Sequence, residues 1–263
     1  MCKEFHREHP EAYIVPVSSK GIDVWSPVWE NIPYILREKD IVDRYDGRLI
    51  GIDVQPNNGG KHRPYVKNME EKRMVFDENH RAIPGELVFT GAELTKAIEM
   101  SKFPEPFVMI NTSVKNGVSA GNKRWPDEYW QELVDLLVAQ DIRVIECLPD
   151  GVPKVSVAKK LKGVLNLSTP DVRTCFAIME YSSAVITTEG AIHHAAAALD
   201  RPAVVLFGGF ISPEITGYDI HTNIFPDHPD SPCGSVEPCG HCEFVMTSIL
   251  PNYVFEEFMK IWV

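Results

Sequence analysis

Thr188, Glu189 and Gly190, followed by His193 and His194, are the residues of this chain whose types and spacing most readily do chemistry. They come after the β-rich run Ala184-Val185-Ile186-Thr187 and open a helix over Ile192 to Leu199, where Ala195 to Ala198 are strong helix formers. A helix start leaves backbone N–H groups without partners and carries partial positive charge. Gly190 lets another group approach the backbone closely. Thr188, Glu189, Gly190 and His193 therefore describe a cradle for a phosphate or diphosphate. They equally describe a tight turn without ligand, with both histidines as neutral packing residues. Arg201-Pro202 stops the helix. Ala203 to Phe207 is a second apolar strand, and Gly208-Gly209 ends it in a second open turn. Strand, helix and strand form a βαβ unit, and ligands of such sheets collect at the carboxyl ends of the strands.

A second group lies earlier. The strand Phe107 to Asn111 runs through Thr112 into a loop rich in Gly, Ser and Asn, which ends in Asn122-Lys123-Arg124-Trp125-Pro126. A helix over 126–140 follows, with Pro126 near its first position and Asp127-Glu128 in its first turn. Thr112 and Lys123 thus fall at a strand end and a helix start. A mobile ammonium there can neutralise a leaving diphosphate; the alternative is a solvated surface lysine. A third group comes late, with Cys233, Cys239, His241 and Cys242 preceded by His221, Asp227 and His228. Thiolates with a nearby histidine bind zinc tetrahedrally, and Cys239 to Cys242 is a C-x-x-C arrangement. A second C-x-x-C pair is missing, so three free thiols in a folded loop are the alternative. A disulfide requires an oxidising compartment.

The elements that must hold these residues alternate. After residue 101 they read as strand 107–111, helix 126–140, strand 142–147, helix 155–161, strand 164–167, a helix started by Thr169-Pro170-Asp171 with Thr169 as its cap, and then the βαβ unit. A last helix runs to Trp262, with Phe255, Phe258, Met259 and Trp262 on its apolar face. That is a doubly wound α/β pattern. The prolines at 104 and 106 mark a boundary near 101. Residues 1–101 are expected to form a smaller α/β domain and 102–263 a doubly wound α/β domain. In the first, Lys3 to His9 reads as a helix end, Ala12 to Val17 as a strand, Ser26 to Tyr34 as a loop anchored by aromatics, and Leu49 to Val54 as a strand with Asp53 near its end. The basic loop from Gln55 to Pro64 follows, and Met69 to Arg73 reads as a helix start.

Composition excludes several classes. The chain has 263 residues and a net charge of −11, which argues against a general nucleic-acid binder. No apolar run approaches a membrane span, and the first residues lack the apolar core of a signal peptide. The expected location is the cytoplasm, or the periphery of the inner membrane. Six cysteines are too few for a disulfide scaffold at this length.

Lys123-Arg124-Trp125-Pro126 and the helix after it resemble the lysine-tryptophan segment of the ADP-heptose lipopolysaccharide heptosyltransferases, glycosyltransferase family 9. Thr188 to His193 with the alanines and Arg201-Pro202, Phe207-Gly208-Gly209 with Pro213, and the cysteines before Ile249-Leu250-Pro251 resemble further segments of that family. The resemblance implies a GT-B-like fold of two Rossmann-like domains, the first reduced or truncated here. It implies inverting transfer of a sugar, heptose above all, from a nucleotide sugar to a glycan or lipopolysaccharide-core hydroxyl, with no obligatory cofactor. The donor site it implies is Thr112, Lys123, Thr188, Glu189, Gly190, His193, Gly208 and Gly209. Where the family has Asp, Ser or Thr, and Gly at the second-domain turn, this chain has Thr188, Glu189 and Gly190. The family's first strand and glycine-rich loop, with its catalytic aspartate, have no counterpart before Lys3. Asp23 and Asp53 are the candidate general bases because they lie in the first domain, with Lys123 as the third catalytic candidate. A non-catalytic sugar-nucleotide-binding module is the alternative function.

Overall fold

A computed structural model describes residues 2–17, 24–41, 65–68, 70–102, 106–115, 121–150, 155–156 and 160–262. Its helices are α1 (Cys2–Glu8), α2 (Glu38–Ile41), α3 (Gly91–Ser101), α4 (Asp127–Val138), α5 (Val172–Met179), α6 (Ala191–Ala198), α7 (Pro213–Thr216), α8 (Gly240–Ser248) and α9 (Pro251–Met259). Its strands are β1 (Tyr65–Asn68), β2 (Arg73–Phe76), β3 (Phe107–Asn111), β4 (Val114–Lys115), β5 (Arg143–Pro149), β6 (Val155–Ser156), β7 (Val164–Thr169), β8 (Ala184–Thr188), β9 (Ala203–Leu206) and β10 (Thr222–Ile224).

The centre is a six-stranded sheet in the order β10-β9-β8-β3-β5-β7, parallel throughout. Its middle strands are buried on both faces, which is why β3, β8 and β9 read as continuous apolar runs. The two-residue period divides each strand between two cores. Phe107 and Met109 of β3 face the core closed by Ala97 of α3, Phe176 of α5 and Ala196 of α6. Val108 and Ile110 face the core closed by Leu133 and Leu137 of α4 and Phe258 of α9. The helices therefore cover both faces of the sheet, the doubly wound arrangement that the alternation of elements predicts.

The chain builds β3, then β5 and β7 to one side, and returns to lay β8, β9 and β10 on the other. This is the Rossmann strand order, and the direction reverses between β3 and β8. The carboxyl ends of those two strands, Asn111 and Thr187 in register, lie at that switch point, where open α/β sheets bind their ligands in a crevice.

A second, smaller sheet-and-helix region comes from the first hundred residues, so the fold is mixed α/β with two such regions, consistent with a GT-B-like architecture. β1 and β2 form an antiparallel hairpin there. Where a helix start is expected over Met69 to Arg73, Glu70 to Lys72 are turn and Arg73 opens β2; Met69 lies outside the described residues. In the segment Ala12 to Val17, Ile14 forms an isolated bridge to Ile35 and Val17 is a lone bridge residue, without a continuous ladder among the described residues; Pro16 has no N–H to extend one. Trp25 and Trp29 pack on Ile32, Tyr34 and Ile35, the aromatic anchoring expected of that loop. The strand at 49–54, the basic loop at 55–64, Asp23 and Asp53 lie outside the described residues.

Three further expectations are corrected. Val155-Ser156 is a short strand on β4 where a helix is expected. The cap of α5 is Asp171, whose carboxylate accepts the Thr174 N–H at 2.7 Å, while Thr169 ends β7. The last helix, α9, ends at Met259 and does not run to Trp262, while Phe255 and Phe258 lie on its core-facing side as expected.

Candidate functional site

Two anchors hold the Lys123 loop at the crevice. Trp125 is 1% exposed, packs edge-on against Trp130 at 4.8 Å, and donates its indole N–H to Ile249 O at 2.9 Å. Asn122, on the other side of Lys123, is buried and bonded to the Cys233–Cys239 segment. Between them the Lys123 ammonium reaches across and pairs with the Glu189 carboxylate, which is 8% exposed. It also lies 4.9 Å from the centroid of the Phe210 ring, a cation–π position. The loops after β3 and β8 thus place a cation and a carboxylate together at the strand-order reversal.

Gly190 caps α6 in an extended conformation, and a Cβ there would meet only the Thr188 carbonyl at 4.0 Å. Its face is open. Thr188 ends β8 and is buried. Thr112 turns toward β5, donating its N–H and hydroxyl to Glu146 Oε1 at 2.9 and 2.7 Å. Burial raises the Glu146 carboxyl above its ordinary pKa. Nothing in the strand pattern of 142–147 signals this carboxylate, because an apolar run with one acid reads only as a strand.

His193 follows the packing alternative rather than the cradle. It is fully buried, its Nδ1 accepts the Gly190 N–H at 2.9 Å, and its Nε2 donates to Thr216 O at 2.9 Å. Both ring nitrogens are used inside the protein, so His193 supports the turn from behind. Burial pushes its pKa down to about 3, and that of His221 down to about 4, so neither brings positive charge to the crevice near neutral pH. Gly208 and Gly209 follow the end of β9 as expected, and both are packed against α8. A Cβ on Gly208 would overlap the Met246 side chain, and one on Gly209 would overlap the His241 ring. Their lack of side chains makes room for Met246 and His241 of α8 at the bend that follows β9.

Cys233, Cys239, His241 and Cys242 come together, each offering one ligand atom, all within 4.8 Å of one another. Cys233 Sγ is 3.2 Å from Cys242 Sγ and 3.9 Å from Cys239 Sγ. Tetrahedral zinc with Zn–S bonds of about 2.3 Å separates its sulfurs by about 3.8 Å, so the donors need to move only slightly. His241 Nε2 faces His228 Nδ1 at 3.0 Å and Ser231 Oγ at 3.2 Å. Its Nδ1 is buried without a hydrogen-bond partner, which leaves that nitrogen for an ion. The hydrogen bond with the Cys242 thiol lowers the Cys233 pKa, toward the thiolate that metals require. The residues fit a metal centre.

The sequence model of glycosyltransferase family 9 (heptosyltransferase) matches residues 66–233, more than half of the chain. The chain belongs to that family. The match spans the hairpin, Lys123, the Glu189 turn and the first cysteine. Lipopolysaccharide heptosyltransferase 1 of Escherichia coli K12 is 31% identical over 102 residues, which are 37% of this chain and 31% of that protein. The chain therefore aligns with about a third of that curated relative. Two solved structures are similar in fold. Escherichia coli ADP-heptose lipopolysaccharide heptosyltransferase II has 19% identity and a TM-score of 0.51, covering 67% of this chain and 53% of its own. A family 9 glycosyltransferase from Veillonella parvula has 14% identity and a TM-score of 0.52, covering 68% and 54%. Among the described residues no helix is long and apolar enough to cross a membrane.

Proposed function

We propose that the β3/β8 crevice of this family 9 glycosyltransferase binds a nucleoside-diphosphate sugar. The reaction is inverting transfer to a glycan hydroxyl, with heptose from ADP-heptose as the leading donor and a lipopolysaccharide-core sugar as the leading acceptor. The observation that carries this is the Lys123–Glu189 pair beside the open Gly190, at the point where the strand order reverses. The relatives named for lipopolysaccharide heptosyl transfer support the choice of donor and acceptor.

In this reading the diphosphate lies over the first turn of α6, where backbone N–H groups point outward. Lys123 exchanges its partner from Glu189 to the phosphate, and Glu189 turns to hydroxyls of the ribose or sugar. The acceptor oxygen attacks the anomeric carbon as the bond from that carbon to the phosphate oxygen breaks. The electron pair leaves with the diphosphate, where an ammonium and aligned dipoles stabilise it. A carboxylate takes the acceptor proton, with Asp23 and Asp53 as its candidates. His193 acts only through Gly190. Thr112, with Glu146, lines the β3 side.

We assign the three-cysteine, one-histidine centre to structural zinc, held by Cys233, Cys239, Cys242 and His241. When bound, the ion would crosslink the segment before α8 to its first turn. Metal analysis of purified protein tests this: about one zinc per chain is expected from four ligands, and absence of any stoichiometric metal would remove the assignment.

A panel of ADP-, GDP-, UDP- and TDP-sugars, followed by calorimetry and by product analysis with glycan acceptors, tests the function. Saturable binding of one donor with transfer is expected. Binding without transfer across acceptors would leave a sugar-nucleotide-binding module, and binding of none would reject the donor site.

A further inference from the structure

The segment from Cys233 to Cys239 joins three parts of the molecule. Cys233 and Gly234 donate their N–H groups to Gly209 O and Phe210 O at 2.8 and 3.0 Å. On its other edge, Met74 N–H donates to Gly234 O at 2.7 Å and Val236 N–H to Lys72 O at 2.9 Å, which adds the segment to β2. Asn122 holds its third side. This side chain is 3% exposed, donates through Nδ2 to Ser235 O and Glu237 O at 3.0 and 2.8 Å, and accepts the Cys239 N–H at Oδ1 at 3.0 Å. An amide that spends both donors and its acceptor on one short segment fixes that segment relative to its own backbone.

Lys123 is the next residue. Its ammonium lies over Phe210, the residue whose carbonyl hangs from Gly234 and whose ring meets Phe76 edge-on at 6.3 Å. The backbone that carries Lys123 and the ring beneath its charge are therefore both tied to the cysteine segment. Cys233 and Cys239 are the ends of that segment, and His241 and Cys242 close it, the His241 ring filling the space left by Gly209.

We propose that the metal centre, with its ion bound, positions Lys123 opposite Glu189, and that Asn122 is the positioning residue that transmits the constraint. Crosslinking the two ends of the segment fixes Ser235 and Glu237, these fix Asn122, and Asn122 fixes its neighbour. The inference rests on the donor-site reading only for its consequence, since the placement of Lys123 is measurable without nucleotide.

Amine acylation of the full chain, read lysine by lysine by mass spectrometry, tests it. Three samples are compared: the metal-loaded chain, the chelator-stripped chain, and metal-loaded Asn122→Ala with its ion content checked. Exposed Lys96 and Lys162 are the internal controls. In the loaded wild type Lys123 reacts slowly. In the other two samples it reacts several-fold faster while the controls hold their rates. If stripping speeds all three lysines, the chain has opened as a whole, and the Asn122→Ala sample decides. Wild-type reactivity of Lys123 in that variant would overturn the proposal. A double-mutant cycle with ADP as the probe adds the functional readout: Asn122→Ala weakens ADP binding when Lys123 is present and leaves it unchanged in the Lys123→Ala background. Additive losses would mark Asn122 as merely structural and contradict the proposal. Faster Lys123 labelling in a chain whose wild type does not bind ADP would support the positioning and remove the donor site.

Discussion

Lys123 faces a buried carboxylate, and this decides what its removal does. Lys123→Ala leaves Glu189, 8% exposed, without its cation. The variant is expected to lose about 1–3 kcal/mol of stability, the cost of an unsatisfied buried group. Adding Glu189→Gln is expected to recover most of that loss, measured by urea unfolding of the single and double variants. Equal stability of wild type and Lys123→Ala would place the lysine in solvent and dissolve the pair. His193 makes a separate prediction about pH. Its folded pKa of about 3 lies below the ordinary value near 6.5, and that of His221 is about 4. Between those values the unfolded chain binds protons that the folded chain does not, so stability is full above pH ~6.5 and falls as pH drops toward ~3. The slope is up to about 1.4 kcal/mol per pH unit for each histidine. His193→Asn should reduce that slope in a urea titration across the window. Sequence alone located this turn but not the direction of His193, because neighbouring helical residues point about 100° apart and only packing chooses which faces inward.

At the scale of elements, Gly190 and Gly209 separate two uses of glycine. Gly190 has open space and an extended backbone, so Gly190→Ala should unfold within about 0.5 kcal/mol of wild type. It should nonetheless weaken nucleotide binding, since the added methyl stands on the open face of the crevice. Gly209→Ala meets the His241 ring and should lose about 1–3 kcal/mol together with some retained metal. Calorimetric melting with metal analysis of both variants distinguishes the two uses, and the reverse pattern would contradict them. The βαβ unit from 184 to 207 is legible in the sequence because its strands are short, apolar and separated by an alanine-rich helix. The β1–β2 hairpin is not, since Met69 to Arg73 has a polar run that fits a helix or a turn equally. Gly208-Gly209 is legible as a bend but not in its packing, for a related reason: a glycine pair records that something comes close without recording what. Here it is α8.

At the scale of the whole molecule, Arg173 of α5 joins the first hundred residues to the sheet. It is 7% exposed and donates to Glu93 Oε1 at 2.6 Å, Pro27 O at 2.8 Å and Val88 O at 2.6 Å, with Phe89 beneath it. α3, whose start Glu93 caps with Thr90, packs on α5 beside this contact. None of this is visible in the sequence, since most of the partners are backbone carbonyls far along the chain. Arg173→Ala should lose about 1–3 kcal/mol, the cost of leaving the Pro27 and Val88 carbonyls of these part-buried bonds without their donor. Arg173 also draws the Glu93 pKa down to about 2. This contribution is complete above the ordinary value near 4.5 and is lost as pH falls toward ~2, so the variant should show a flatter acid limb there. An unchanged acid limb in urea unfolding would contradict the role given to the pair.

The central claim is that the β3/β8 crevice holds a nucleotide sugar through Lys123. Calorimetric titration of ADP-heptose into metal-loaded wild type, and into the Lys123→Ala, Glu189→Gln double variant whose fold is relieved of the lone carboxylate, tests it most directly. The account predicts a saturable single-site isotherm for the wild type and an affinity at least about tenfold weaker, or about 1.4 kcal/mol, for the double variant. No saturable heat in the wild type, or equal affinities in the two folded proteins, would contradict it.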